Sequence, residues 1–285
     1  METQETPQHA ATTWTSLTYA DAGDPLLKRW LIQGVENLSG RPLIERLYNE
    51  VRFLDVPPGA LWGLALDQLK VSMDVDWQKI EQLPAEGPLV FVANHPFGVL
   101  DGLMMGELIS RVRTDFFILV NEVLARDPRL AGHLLPIDFR PGQEAVRTNL
   151  ASAQTAVRRI KEGHAMGVFP SGGVATAKSF FGPAVDLEWK RFVAKVIQLS
   201  QATVVPVFFA GQNSRLFQMV SQFSMPLRLG LLLYETKNKM GKRFRVEIGD
   251  PIPFGEMAPY RDRDALLGFL RARTLELEGK EKEEG

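Results

Sequence analysis

The chain has 285 residues, is 45% hydrophobic, carries a formal net charge of -1 and contains no cysteine. The near-balance of charge argues against a nucleic-acid partner, which a basic excess would announce. The lack of cysteine excludes disulfides, thiolate metal ligation and a cysteine nucleophile. No apolar run reaches the ~18–20 residues that cross a bilayer, and Met1 to Thr13 lacks the basic start and apolar stretch of a secretory signal. The chain is therefore expected to be soluble or to lie on a membrane.

Residues 1–24 are polar and without period, and read as a flexible tail. Leu26, Leu27, Trp30, Leu31 and Val35 then share a helical stripe with Lys28 and Arg29 alongside, the pattern of a helix that lies in a bilayer interface or packs on the domain. Leu61, Trp62, Leu64 and Leu66 form a second apolar stretch, so 25–80 is expected to be an N-terminal helical segment suited to membrane docking. From there strands and helices alternate. Leu89 to Ala93 reads as a buried strand, Leu103 to Val112 as helix, and Asp115 to Val120 as strand. A short strand is expected at Leu134 to Asp138, a helix over Glu144 to Ile160, and a strand over Ala165 to Phe169. Leu187 to Leu199 reads as helix and Thr203 to Phe209 as strand, while Tyr234 to Ile248, with Lys239-Met240-Gly241-Lys242 between two β-capable runs, suggests a terminal hairpin. Such alternation implies crossover units. The expected fold class is α/β: a mostly parallel central sheet flanked by helices, with N-terminal helices and a late β-hairpin.

Open sheets of this kind bind ligands in the loops at the carboxyl ends of their strands. Two such loops stand out. Asn94-His95-Pro96-Phe97-Gly98 leaves the first strand, and Asp101 follows His95 after a turn. A carboxylate beside an imidazole fixes its tautomer and stabilises its protonated form, leaving the other ring nitrogen to take a proton from an attacking hydroxyl. The plainer alternative is a helix-capping Asp101 and a buried structural His95. Phe169-Pro170-Ser171-Gly172-Gly173 leaves a later strand. Ser171 lacks the flanking glycine of a hydrolase elbow, so a ligand-binding loop with exposed Gly172 and Gly173 backbone is expected there. His133 and His164 read as surface or supporting histidines, and the four histidines have no metal-ligand spacing, so no metal and no organic cofactor is expected.

The segment from Asn94 to Gly102 resembles the first motif of the glycerolipid and lysophospholipid acyltransferase superfamily. Five residues, Pro96 to Leu100, separate His95 from Asp101, one more than that family's usual interval. The His-Pro-x-Gly-x-x-Asp-Gly form is similar to the hemolysin-like, ornithine-lipid-type branch of bacterial O-acyltransferases. Phe169-Pro170-Ser171-Gly172-Gly173 resembles the third motif, with Ser171 in place of Glu and no following Arg; Lys178 is the nearest cation in the sequence. Asn121-Glu122-Val123-Leu124 through Pro136-Ile137-Asp138 is similar to the second block, and Val204-Val205-Pro206-Val207 to the fourth.

The resemblance runs from about Pro84 to Pro253, within an expected acyltransferase domain over 81–278, and the charged end over 279–285 reads as a flexible tail. The resemblance implies a general base, His95, oriented by Asp101. Asn94, Gly98, Ser171, Gly172, Gly173, Asn213 and Arg215 become candidates for substrate binding, Arg215 standing open between a headgroup ligand and a surface residue. Backbone N–H groups near Gly98 or Gly172 are candidates for the oxyanion. The donor would be an acyl thioester on acyl carrier protein or coenzyme A. The acceptor would be a lysolipid, with an amino-acid headgroup such as lyso-ornithine lipid favoured by the missing Arg. Acylation of lysophosphatidic acid or another lysophospholipid is the alternative; a thioesterase and a lipid-binding module are the non-transferase ones. The expected location is cytoplasmic, peripheral on the inner face of the cell membrane.

Overall fold

The structure is a computed structural model that describes residues 25–51, 54, 56–121, 128–137, 142–179 and 182–282. The expected tail over 1–24 lies outside the described residues. Helices α1 (Leu26–Ser39), α2 (Arg41–Val51) and α3 (Leu61–Gln68) come first, then strand β1 (Ser72–Asp74) and the short helix α4 (Trp77–Glu81). The alternating body follows as β2 (Leu89–Ala93), α5 (Val99–Ser110), β3 (Phe116–Asn121), β4 (Leu134–Ile137), α6 (Gln143–Lys161) and β5 (Ala165–Val168). A two-stranded antiparallel excursion, β6 (Thr176–Ala177) with β7 (Ala184–Val185), precedes α7 (Arg191–Ser200) and β8 (Thr203–Phe209). The chain closes with α8 (Arg215–Val220), α9 (Met225–Asn238), β9 (Arg243–Ile248), α10 (Phe254–Met257) and α11 (Arg263–Leu275).

The main sheet has the order β1-β9-β8-β2-β5-β3-β4. All neighbours in it run parallel except β8 and β9. Every residue of β2 is buried, as a central parallel strand covered on both faces requires. Its side chains divide between two cores by the two-residue period of a strand. Leu89, Phe91 and Ala93 join α3 and α5 on one face; Val90 and Val92 join α6, α7 and α11 on the other. At the amino end of the strands a buried guanidinium ties the sheet together. Arg113 pairs with Asp115 at 2.7 Å and donates to the carbonyls of Gly87 and Gly163, residues that lead into β3, β2 and β5 respectively. The pair holds the Asp115 carboxyl below its usual range.

The α/β class with a mostly parallel sheet is as expected. The late hairpin is not there: Tyr234 lies in α9, and the Lys239–Lys242 turn joins that helix to β9, which pairs with β8 and β1. The reason is burial nearly all round. Gly230 to Leu233, Glu235, Thr236 and Lys239 are all buried, so α9 shows no clean apolar stripe. Ser224 caps its start by accepting from the Leu227 N–H at 3.4 Å. The helix expected from Leu187 begins only at Arg191, because Lys190 N donates to the Pro170 carbonyl at 2.9 Å and the Trp189 indole to Asp186 at 2.7 Å, which hold 186–190 out of the helix.

Candidate active site

Three adjacent strands, β8, β2 and β5, end side by side, so their carboxyl-end loops meet although they lie far apart in sequence. Asn94, the first residue after β2, joins two of them. Its side-chain amide donates to the Phe209 carbonyl at 2.9 Å, and its oxygen accepts the Phe209 N–H at 2.8 Å. It therefore fixes the strand ends to one another.

His95 follows. Its Nδ1 lies 2.8 Å from Asp101 Oδ2. The same oxygen accepts the N–H of Phe97 at 2.8 Å and of Gly98 at 2.9 Å. Asp101 is the third residue of α5 and wholly buried, so it caps the helix and touches the imidazole at once. The carboxylate thus serves as helix cap and imidazole partner together. The longer interval closes because Gly98 takes φ 96°, a region open chiefly to glycine. The imidazole stacks on the Phe169 ring, with centroids 4.3 Å apart and planes inclined by 19°. Nδ1 is occupied by Asp101, so Nε2 is the nitrogen left for a substrate.

A second carboxylate stands behind the histidine. Asp186, just after β7, accepts the His95 N–H at 3.2 Å through Oδ1 and the Trp189 indole through Oδ2. Burial pushes its pKa up, opposed by the hydrogen bonds and by His95 and Ser171 nearby. No motif marks Asp186; it is 91 residues from His95, and only the β6–β7 excursion brings it there.

The loop after β5 lies against this pair. The Ser171 hydroxyl donates to the Gly173 carbonyl at 3.0 Å, so it is engaged within its own turn. Gly172 N donates to the Phe169 carbonyl at 2.9 Å. The N–H groups of Gly98 and Gly172 themselves are therefore both occupied within their own turns. Ala175 N donates to the His95 carbonyl at 2.7 Å and completes the enclosure.

The loop after β8 supplies Asn213, which is buried and donates to the Phe97 carbonyl at 3.4 Å. Its oxygen accepts from Lys239 Nζ at 2.7 Å, and Lys239 also pairs with Glu235 at 2.6 Å. Glu235 holds the Ser214 N–H at 3.0 Å and the Ser214 hydroxyl as well. Burial pushes the Lys239 pKa down, and Glu235 partly restores it. Asn213 is thus a brace under the Phe97 turn. Arg215 is exposed and donates to the Gly182 carbonyl at 2.7 Å, which leaves it a surface residue of α8. Lys178 lines a cleft of about 500 Å³ with Thr176, Asp186, Trp189 and Arg271, on the far side of Asp186 from the His95 backbone contact.

The model of the family described as "Acyltransferase" matches residues 40–280. The chain belongs to the acyltransferase family. It is an O-acyltransferase of lipid biosynthesis. Among its relatives, the lyso-glycine lipid O-acyltransferase of Bacteroides thetaiotaomicron is 32% identical over 204 residues, 67% of this chain and 72% of that protein. The enzyme of the same name from Phocaeicola vulgatus is 31% identical over 67% of this chain and 70% of its own. The 1-acyl-sn-glycerol-3-phosphate acyltransferase of Bacillus subtilis is 25% identical over 70% and 86%. In fold, the acyltransferase is similar to the crystal structure of the 1-acyl-sn-glycerophosphate acyltransferase of Thermotoga maritima, with a TM-score of 0.52 at 13% identity over 91% of this chain and 98% of the other.

Proposed function

We propose that this acyltransferase moves a fatty acyl group from a thioester, on acyl carrier protein or coenzyme A, to the hydroxyl of an amino-acid lysolipid of the lyso-glycine type. The observation that carries the chemistry is the His95–Asp101 contact at 2.8 Å, at the convergence of three strand ends. His95 Nε2 takes the proton as the acceptor oxygen attacks the thioester carbonyl. The imidazolium that forms is stabilised by Asp101. The tetrahedral intermediate then expels the thiolate, the C–S bond breaks, and His95 returns its proton to the leaving sulfur. The products are a diacylated lipid and the free thiol carrier, and no nucleophile on the enzyme is needed.

The headgroup reading moves from ornithine to glycine, because the two amino-acid-lipid relatives act on lyso-glycine lipid by name. The loop itself is compatible: Ser171 stands where phosphate-acceptor relatives of the motif carry Glu, and no Arg follows. Lysophosphatidic acid remains the comparison acceptor, favoured by the Bacillus relative.

The acceptor is a lipid, and the surface suits one. No helix among the described residues is long and apolar enough to cross a membrane. Yet Leu26, Leu27 and Trp30 on α1 and Phe223 just after α8 are largely exposed, and Leu216 and Met219 on α8 are nearly half exposed. Both helices pack on α9. This apolar surface is proposed to rest in the bilayer interface, making the enzyme peripheral.

The test is an acyl-transfer assay with purified protein, acyl carrier protein and coenzyme A thioesters, and three acceptors: lyso-glycine lipid, lyso-ornithine lipid and lysophosphatidic acid. Transfer to lyso-glycine lipid that disappears in His95→Ala is the expected result. Transfer only to lysophosphatidic acid would refute the headgroup; release of free fatty acid at the same rate without acceptor would refute transfer itself.

A further inference from the structure

Arg228 lies near the start of α9, outside every motif of the family resemblance. Its Nη2 donates to the Val174 carbonyl at 2.6 Å, and its guanidinium sits 5.8 Å from the centre of the Phe217 ring. The neighbourhood is apolar: Val174, Phe217, Leu231 and Leu232 form one buried cluster. No acidic side chain among the described residues pairs with it, and burial alone displaces its pKa, downward. A cation half-withdrawn from water without a counter-charge is a costly arrangement. A bound anion would offset that cost.

Its position relative to the histidine is set by a single peptide unit. The carbonyl of the Val174–Ala175 peptide accepts from Arg228, and the N–H of the same unit donates to the His95 carbonyl at 2.7 Å. The turn that carries the His95–Asp101 pair packs on the same cluster: a Cβ on Gly98 would meet Leu232 at 3.0 Å and Val174 at 3.3 Å. Gly173 brings the loop backbone beside the guanidinium, for a Cβ there would lie 3.9 Å from Arg228 Nη2.

We propose that Arg228 binds the carboxylate of the acceptor's headgroup, doing from α9 what the absent Arg of the third motif would do from its loop. This rests on the lysolipid reading above and names the group that selects the acceptor. One guanidinium balances one negative charge, and with one N–H on Val174 it retains enough donors for a two-pronged carboxylate pair. A phosphate monoester, with up to two charges, calls for a second cation. Other cations of this region are engaged elsewhere: Arg215 donates to the Gly182 carbonyl, and Lys239 is held by Glu235 and Asn213.

The experiment compares lyso-glycine lipid, its methyl ester and lysophosphatidic acid as acceptors for wild type, Arg228→Met and Arg228→Lys, with binding of the same three lipids measured calorimetrically on His95→Ala and His95→Ala/Arg228→Met proteins. Wild type is expected to prefer the free acid over its ester by about 10- to 100-fold in KM, the worth of a charge-assisted bond. In Arg228→Met that ratio collapses toward one, the loss falling on KM rather than kcat, and Arg228→Lys recovers part of it. An acid-over-ester preference that survives in Arg228→Met overturns the proposal. So does an equal loss on acid and ester, which is the mark of a structural role. A wild-type preference for lysophosphatidic acid that depends on Arg228 overturns the carboxylate assignment. If wild type transfers to none of the three, the proposed function fails on its own, and the calorimetric acid-over-ester ratio still decides for or against Arg228.

Discussion

Asp101 Oδ2 accepts three hydrogen bonds within 2.9 Å, one from His95 and two from the backbone of Phe97 and Gly98. His95 and Asp101 should therefore fail differently when replaced. His95→Ala is expected to lower transfer by about 10²- to 10⁴-fold, the range of a lost general base, with a smaller change in thermal midpoint than Asp101→Ala because the two backbone N–H groups keep their acceptor. Asp101→Ala is expected to lose comparable activity and also about 1–3 kcal/mol of stability, as two buried N–H groups lose their acceptor. Urea unfolding beside single-turnover transfer separates the two.

Asn94→Ala should destabilise the sheet at its catalytic end. It leaves the Phe209 N–H and carbonyl without their partners, a loss of about 2–4 kcal/mol. Because β2 and β8 then part beside His95, kcat should fall as well. Equal stability of variant and wild type in urea would refute the account.

The Glu235–Lys239 pair is buried and bonded to Ser214 and Asn213. Lys239→Met strands the carboxylate, and a loss of about 3–5 kcal/mol is expected. Adding Glu235→Gln should restore much of it. A double variant no more stable than the single one, in the same denaturation assay, would show that the pair does not act as a unit.

Asp186 gives a pH signature with a definite sign. Burial raises its folded pKa above the unfolded value near 3.8. Between the two values the folded state holds more protons than the unfolded one, so stability falls as pH rises through that window. The penalty is fully present above the folded pKa and relieved below it. Wild type should thus gain stability relative to Asp186→Asn as pH is lowered from neutrality toward 4, whatever constant offset the lost Trp189 bond introduces. A stability difference independent of pH would disprove the raised pKa.

The sequence carried the central strands plainly. Leu89 to Ala93 and Thr203 to Phe209 are mainly apolar runs because a parallel sheet buries both faces. The His95–Asp101 contact was legible because it forms within a single turn. What escaped notice depends on sequence-distant packing. Asp186 reaches His95 through an excursion that pairs only two residues per strand. Glu235 and Lys239 sit in a helix buried nearly all round, which periodicity does not separate from strand. Asn213 and Arg215, two positions apart, have opposite fates because one points under the Phe97 turn and the other toward Gly182.

The triple duty of Asp101 has a consequence for how this enzyme can decay under drift. A lineage released from selection for transfer loses less stability by discarding His95 than by discarding the carboxylate that starts α5, which also holds two backbone N–H groups. Descendants that have abandoned catalysis and kept lipid binding should therefore be found with an orphaned aspartate at this turn, and not with an orphaned histidine.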